Sequence, residues 1–227
     1  MSKKSDAEAA LERAYATKGP EANRELYASW APTYESGFMV DSGYVYHQEV
    51  VKVFCDSFSE LSGPVLDVGC GTGVVGGEMA KLGVSVIDGI DISPEMLAEA
   101  AAKTHNGRPV YRQLVEADLT GRTGLADGAY AGIVSSGAFT HGVLGPETIS
   151  ELLRAASPGA RFALGINSAH FEEFGFDHWL EQRRSDGHIV ELEFRLRPIY
   201  GEADEDDPDQ WTRIAIFAAV RAEPPDS

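Results

Sequence analysis

The sequence predicts an α/β fold: a doubly wound, mostly parallel sheet of seven strands, ending in an antiparallel hairpin and preceded by N-terminal helices. Three observations carry this expectation. From Pro64 onward short apolar runs alternate with helix-like stretches, which implies a parallel sheet covered by helices on both faces. The first run opens into VLDVGCGTGVVG (65–76), a buried-strand pattern feeding a glycine-rich loop. The last two runs, HIVELEFRL and WTRIAIFAAV, have no helix-length pattern between them, so they must pair antiparallel.

The elements follow in order. Asp6 to Thr17 is rich in Ala, Glu and Leu and reads as a helix closed by Gly19-Pro20. A second helix, Glu21 to Trp30, leads into Ala31-Pro32-Thr33-Tyr34. A third, Tyr46 to Phe58, spaces Val50, Val53, Phe54 and Phe58 on one face. Val65–Val68 is the first strand, followed by a helix that ends near Lys81-Leu82-Gly83. Val84–Ile90 is the second strand; Ser93 then caps a helix with Pro94 at its first position. Pro109–Val115 and Ala131–Ser135 are the third and fourth strands. A helix from Pro146 to Ala156 is ended by Pro158-Gly159 before the fifth strand, Arg161–Gly165. His170 to Arg184 reads as one more helix, and the hairpin strands are His188–Leu196 and Trp211–Val220. Residues 1–60 are expected to form the helices and the lid, and residues 61–222 the core.

Composition bounds the partners. The 227 residues are 43% hydrophobic and 24% charged, which suits one globular unit with a substantial core. A net charge of −17, from 36 acidic against 19 basic residues, repels nucleic acid and anionic membranes and leaves a small-molecule partner as the expectation. The chain is expected to be a monomer or a homodimer. The two cysteines, Cys55 and Cys70, form no metal-ligand or disulfide pattern, so no metal site is expected. The opening MSKKSDAEAALERA lacks a signal-peptide core, and no apolar run is long enough to span a bilayer. A cytoplasmic protein is expected.

The glycine loop lies where a doubly wound sheet binds its ligand. Read from Gly71 it spells the dinucleotide fingerprint G-x-G-x-x-G, which alone is weak. Asp67, two residues before the loop, would set a carboxylate near any pyrophosphate. A ligand carrying an ammonium and a sulfonium would instead welcome it, which tilts the choice towards S-adenosylmethionine (SAM). Asp91 closes the second strand and can accept both ribose hydroxyls, a role that does not separate SAM from NAD. Asp118, in VEADL, can accept from an adenine amino group.

DVGCGTG, GIDIS, VEADL and YAGIVSSGAF together resemble the class I SAM-dependent methyltransferases, which have a Rossmann-like sheet with the same terminal hairpin. The likeness spans Glu21 to Val220. Upstream, YASWAPTYES resembles the Y-x-x-W-A-x-x-Y-[DE] segment of the methyltransferase-like proteins named after the Williams–Beuren syndrome chromosomal region, and SSGAFTHGVLGPE fits that subgroup. Ala131 departs from relatives, which often have Asp before the fourth strand. The resemblance implies that the loop Gly69-Cys70-Gly71 holds the methionine portion with Asp67 assisting its ammonium, and that Asp91 takes the ribose. Ile92 and Met96 would flank the adenine, and Asp118 with Leu119 would close its edge. Ser135 and Ser136 would lie near the methionine end, with Tyr27, Trp30 and Tyr34 in the lid. His141, in the loop after the fourth strand, is the candidate general base where the acceptor must lose a proton. His170, Asn167, Tyr44, Tyr46, His47 and Tyr200 are candidates for an acceptor pocket. A nicotinamide-dependent oxidoreductase and a SAM-binding module without turnover stay open as alternatives.

Overall fold

The computed structural model describes residues 19–57, 62–140 and 143–220. The expected helix at Asp6–Thr17, the positions Phe58 and His141, and the last residues of the chain lie outside these.

Seven strands form one sheet: β1 (Val65–Val68), β2 (Ile87–Asp91), β3 (Tyr111–Glu116), β4 (Tyr130–Phe139), β5 (Ala156–Asn167), β6 (Ile189–Pro198) and β7 (Trp211–Ala219). Their order is β3-β2-β1-β4-β5-β7-β6. The first five run parallel, and β7 is antiparallel to both β5 and β6. The expected hairpin is therefore present, with β7 inserted between β5 and β6. The order reverses between β1 and β4, so their carboxyl ends open a crevice there.

Among the described residues seven α-helices of six residues or more accompany the sheet: α1 (Pro20–Trp30), α2 (Tyr46–Ser57), α3 (Val74–Lys81), α4 (Pro94–Ala102), α5 (Ile149–Ala155), α6 (Ser168–Glu173) and α7 (Phe176–Ser185). One core cluster joins Val50, Phe54, Met79 and Ala100 of α2 to α4 to the sheet; the other joins Leu152, Phe171 and Leu180 of α5 to α7 to the opposite face. Every residue of β1 is buried, as expected of a central strand covered on both faces. Burying each large apolar side chain contributes about 1.5–3 kcal/mol, so the two clusters rather than helix propensity fix these elements.

Several boundaries move. The expected helix over 170–184 is two helices, because Gly175 takes a left-handed φ of 64° between them. Pro158-Gly159 does not separate α5 from β5: the strand starts at Ala156 and carries these residues as a bulge against β4, with Gly159 at φ 79°. β4 runs on to Phe139 past a second irregularity at Gly137, φ 90°. Between α1 and α2 the chain makes a short 3₁₀ turn (Ala31–Thr33), a π-helical stretch (Tyr34–Met39) and one further helical turn (Val40–Ser42). This segment brings aromatic side chains over the carboxyl end of the sheet.

Candidate functional site

The loop after β1 turns on glycine. Gly69, Gly71 and Gly73 have φ of 64°, 52° and 87°, values that only glycine adopts cheaply. A methyl group on Gly69 would also stand 2.6 Å from the Ala138 Cβ on β4. Gly76 serves a different purpose. It sits in α3 at φ < 0, but a Cβ there would lie 2.3 Å from the Tyr111 hydroxyl, so its bareness lets the helix pack on β3.

Two acids hold this loop. Asp91 accepts from the Gly71 N–H at 2.8 Å through one oxygen and from the Ser93 N–H at 2.9 Å through the other. Burial pushes its carboxyl above the usual range, and the backbone donors pull it back. Asp67 is fully buried beneath the loop, where one oxygen accepts from the Tyr111 hydroxyl at 2.7 Å and the Gly76 N–H at 3.1 Å. Its other oxygen has no hydrogen-bond partner. Burial raises this carboxyl to about 7 against the pull of those two donors.

A cleft opens above the loop, with about 1010 Å³ of empty space including its open mouth. That is the scale of a small-molecule site. Its walls include Gly69, Cys70, Gly71, Asp91, Ile92, Met96, Asp118, Leu119 and Ser136 from the sheet side. Tyr27 and Tyr34 close it from the lid. Eleven of the expected cofactor residues are thus brought together. Asp118 is anchored at the rim, where its carboxylate accepts from the Thr120 N–H at 2.8 Å and the Thr120 hydroxyl at 2.7 Å.

Three expected residues lie outside the lining. Asp67 is under the loop as described. Ser135 is fully buried and donates to the Val68 carbonyl at 2.9 Å, tying β4 to β1. Trp30 backs the lid: its ring stacks on Phe38 and Tyr34 at 5.9 and 6.4 Å and meets Tyr27 edge-on at 5.7 Å. Of the acceptor-pocket candidates, Tyr44 lines the cleft with Ser136, whose buried hydroxyl has no hydrogen-bond partner. His170 instead bonds through Nε2 to the Leu144 carbonyl at 2.9 Å. Asn167 caps α6, accepting from the His170 N–H at 3.1 Å, and Tyr46 accepts from Thr212 at 3.0 Å. These three are structural. His47 is stacked on the far side of Tyr44, and Tyr200 meets the Tyr44 ring edge-on.

The sequence reading misses Thr72, Val74, Val75, Ala117, Thr120, Gly137, Ala138, Val143 and Leu144 in the lining. Thr72 was within reach, because it belongs to the glycine loop itself. Its hydroxyl is buried and without a hydrogen-bond partner, a polar group that a ligand in the cleft would satisfy. The lid tyrosines are held protonated. Burial, with Asp91 nearby, pushes Tyr27 up to about 12, and burial also raises Tyr34 and Tyr44.

These features fit the cofactor the fold implies. A carboxylate at the end of β2 can take two hydroxyls, Ile92, Met96 and Leu119 offer apolar walls to a flat base, and the orphaned Thr72 hydroxyl awaits a partner.

Comparison with known proteins agrees. The family model described as a methyltransferase domain matches residues 65–159, from β1 into β5. No curated protein is significantly similar in sequence. Among solved structures, the complex of the Haloferax volcanii Trm112 methyltransferase activator with a methyltransferase contains a chain that aligns at 19% identity and TM-score 0.62. That alignment covers 89% of this chain and 99% of that one. The cyclase SpnF aligns at 14% identity and TM-score 0.64, covering 91% and 98%. A TehB-like SAM-dependent methyltransferase from Corynebacterium glutamicum aligns at 21% and TM-score 0.53, covering 88% and 99%. Residues 65–159 thus match a methyltransferase domain, and the chain shares the fold of the solved SAM-dependent methyltransferase and of the other structures it aligns with.

Proposed function

We propose that the cleft binds SAM and that the acceptor is a small molecule enclosed under the N-terminal lid. The carrying observation is the convergence of the glycine loop, the Asp91 carboxylate and the lid tyrosines on one cleft. Bound SAM supplies an activated methyl group, so the protein need not provide covalent chemistry of its own. The chain's part is to bind, align and exclude water.

The backbone of Gly69 to Gly71 holds the methionine end, and the Thr72 hydroxyl gives that end a further contact. Asp91 accepts from the ribose, Ile92 and Met96 sandwich the adenine, and Asp118 with Leu119 meets its edge. Ser136 borders the methionine end beside Tyr44. Asp67, Ser135 and Trp30 act from behind, the first two by fixing the loop and β4 and the third by bracing the lid. Residues 1–60 serve as helices and lid to the core at 61–222. The lid segment YASWAPTYES supports membership of the Williams–Beuren-region methyltransferase-like subgroup.

The tyrosine hydroxyls stay protonated at neutral pH, so they orient an acceptor by hydrogen bonding and do not deprotonate it. The described lining contains no His or Lys. Base duty, where an acceptor needs it, is assigned to His141, two residues before the cleft-lining Val143 in sequence. Among the described residues no helix is long and apolar enough to cross a membrane. Both cysteines are free, which supports a reducing, cytoplasmic setting.

Calorimetric titration tests the site. Asp91→Ala is expected to weaken SAM at least about tenfold, about 1.4 kcal/mol. Unchanged affinity would remove the ribose assignment, and tight NAD binding without SAM binding would overturn the reading. Radiolabelled methyl transfer into a metabolite extract identifies the acceptor; persistent absence of labelled product would favour a non-catalytic SAM-binding module.

A further inference from the structure

β6 is the outermost strand of the sheet, and among the described residues no strand pairs with its free side. It is ten residues long and leaves Val190, Phe194 and Leu196 exposed, Leu196 by 54%. An edge of that length with apolar side chains is a template for strand addition.

The sequence of this edge is self-complementary. Residues 191–197 read ELEFRLR. Reversed about Phe194, the apolar positions map onto each other and the charges map onto their opposites: Leu192 with Leu196, Glu193 with Arg195, Glu191 with Arg197. The register with β7 places Glu193, Arg195 and Arg197 opposite Ile216, Ile214 and Thr212, on one face of the sheet. Phe194 and Leu196 point to the other face, where Phe194 meets Phe171 edge-on at 5.3 Å. Both faces of the edge therefore match a reversed copy of themselves.

We propose that two copies of the chain pair antiparallel through β6 about a two-fold axis at Phe194, joining their sheets into one of fourteen strands. Each copy then sets its acids opposite its partner's arginines, a closed arrangement in which one patch meets itself. A parallel pairing in register would instead oppose Glu to Glu and Arg to Arg. Within one chain the inner charges are loosely served, Glu193 and Arg195 meeting at 3.5 Å along the same strand. The outer ones have closer partners, Glu191 with Arg161 at 2.5 Å and Arg197 with Glu49 at 3.4 Å. The inner pairs thus carry the register. Glu191, at φ 57° beside the bulge between Val190 and Glu193, bends the strand and ends the pairing there.

Sedimentation velocity gives the test. The native chain is expected at twice its own mass. Arg195→Glu with Arg197→Glu makes the edge wholly acidic, and Glu191→Arg with Glu193→Arg makes it wholly basic; each double variant is expected to be monomeric. Mixing the two restores all the opposite-charge pairs and is expected to restore the dimer. Circular dichroism melting and SAM titration of each variant report whether it is folded. A native chain that stays monomeric at high micromolar concentration overturns the proposal, and points to no partner or to a different chain on this edge. A dimer that survives in both folded variants places the contact elsewhere, and a mixture that stays monomeric removes the charge register.

Discussion

Asp67 shows how far one residue can be read before its neighbours are known. The sequence marks it as an acid beside a ligand loop, and that much holds. Its direction was illegible, because β1 is buried on both faces and alternation carries no sign there. The side chain that claims it, Tyr111, is 44 residues away. Asp91 was easier: it ends its strand, and a strand end next to a glycine loop has one place to point. A consequence of the Asp67 burial is testable. Its folded carboxyl is raised from 3.8 to about 7, so the stability linked to its protonated form is present below the lower value and lost as pH rises through the upper one. The native chain, referenced to Asp67→Asn, is expected to lose stability on the order of 4 kcal/mol between about pH 4 and about pH 8. Urea denaturation across that range measures it; a constant difference between the two proteins would mean that Asp67 titrates normally.

At the scale of elements, existence and order were legible and edges were not. Alternation of apolar runs with helical stretches gave the five parallel strands, and the missing helix between the last two runs gave the antiparallel pair. Pro158-Gly159 misled because a bulge inside a strand uses the same residues as a turn between elements. Gly175 went unread because a single glycine in a helical pattern looks tolerable. Packing of α3 on β3 rests on a close approach that spacing does not reveal. Gly76→Ala is expected to destabilise the fold by roughly 1–3 kcal/mol, because the new methyl must displace Tyr111. In a Tyr111→Leu background the same substitution is expected to cost much less. A thermal-melt double-mutant cycle reads the difference, and simple additivity would show that the two do not collide.

For the whole molecule, the charge of −17 is the dominant fact. Like charges spread over one surface repel, so added salt should relieve more strain than it removes from the exposed ion pairs. The melting temperature is expected to rise between low and roughly 0.5 M sodium chloride, where the screening length falls towards about 3–10 Å. A fall would mean that local pairs such as Asp88 with Arg112, at 2.5 Å, outweigh the global field. The proposed methyl donor was legible at this scale because loop, acids and hairpin occur together in one sequence. The full cleft was not, because its walls come also from the lid, from β4 and from the loop after it, segments that sequence cannot assemble into one shape.

Both oxygens of Asp91 are already engaged, one by the Gly71 N–H and one by the Ser93 N–H, yet each carboxylate oxygen keeps a second lone pair. The loop is therefore shaped before any ligand arrives, and the acid that shapes it is still free to accept from a newcomer. Little entropy is left to lose at the floor of the cleft. Entry and exit are then expected to depend on the roof, where Tyr27 and Tyr34 line the cleft.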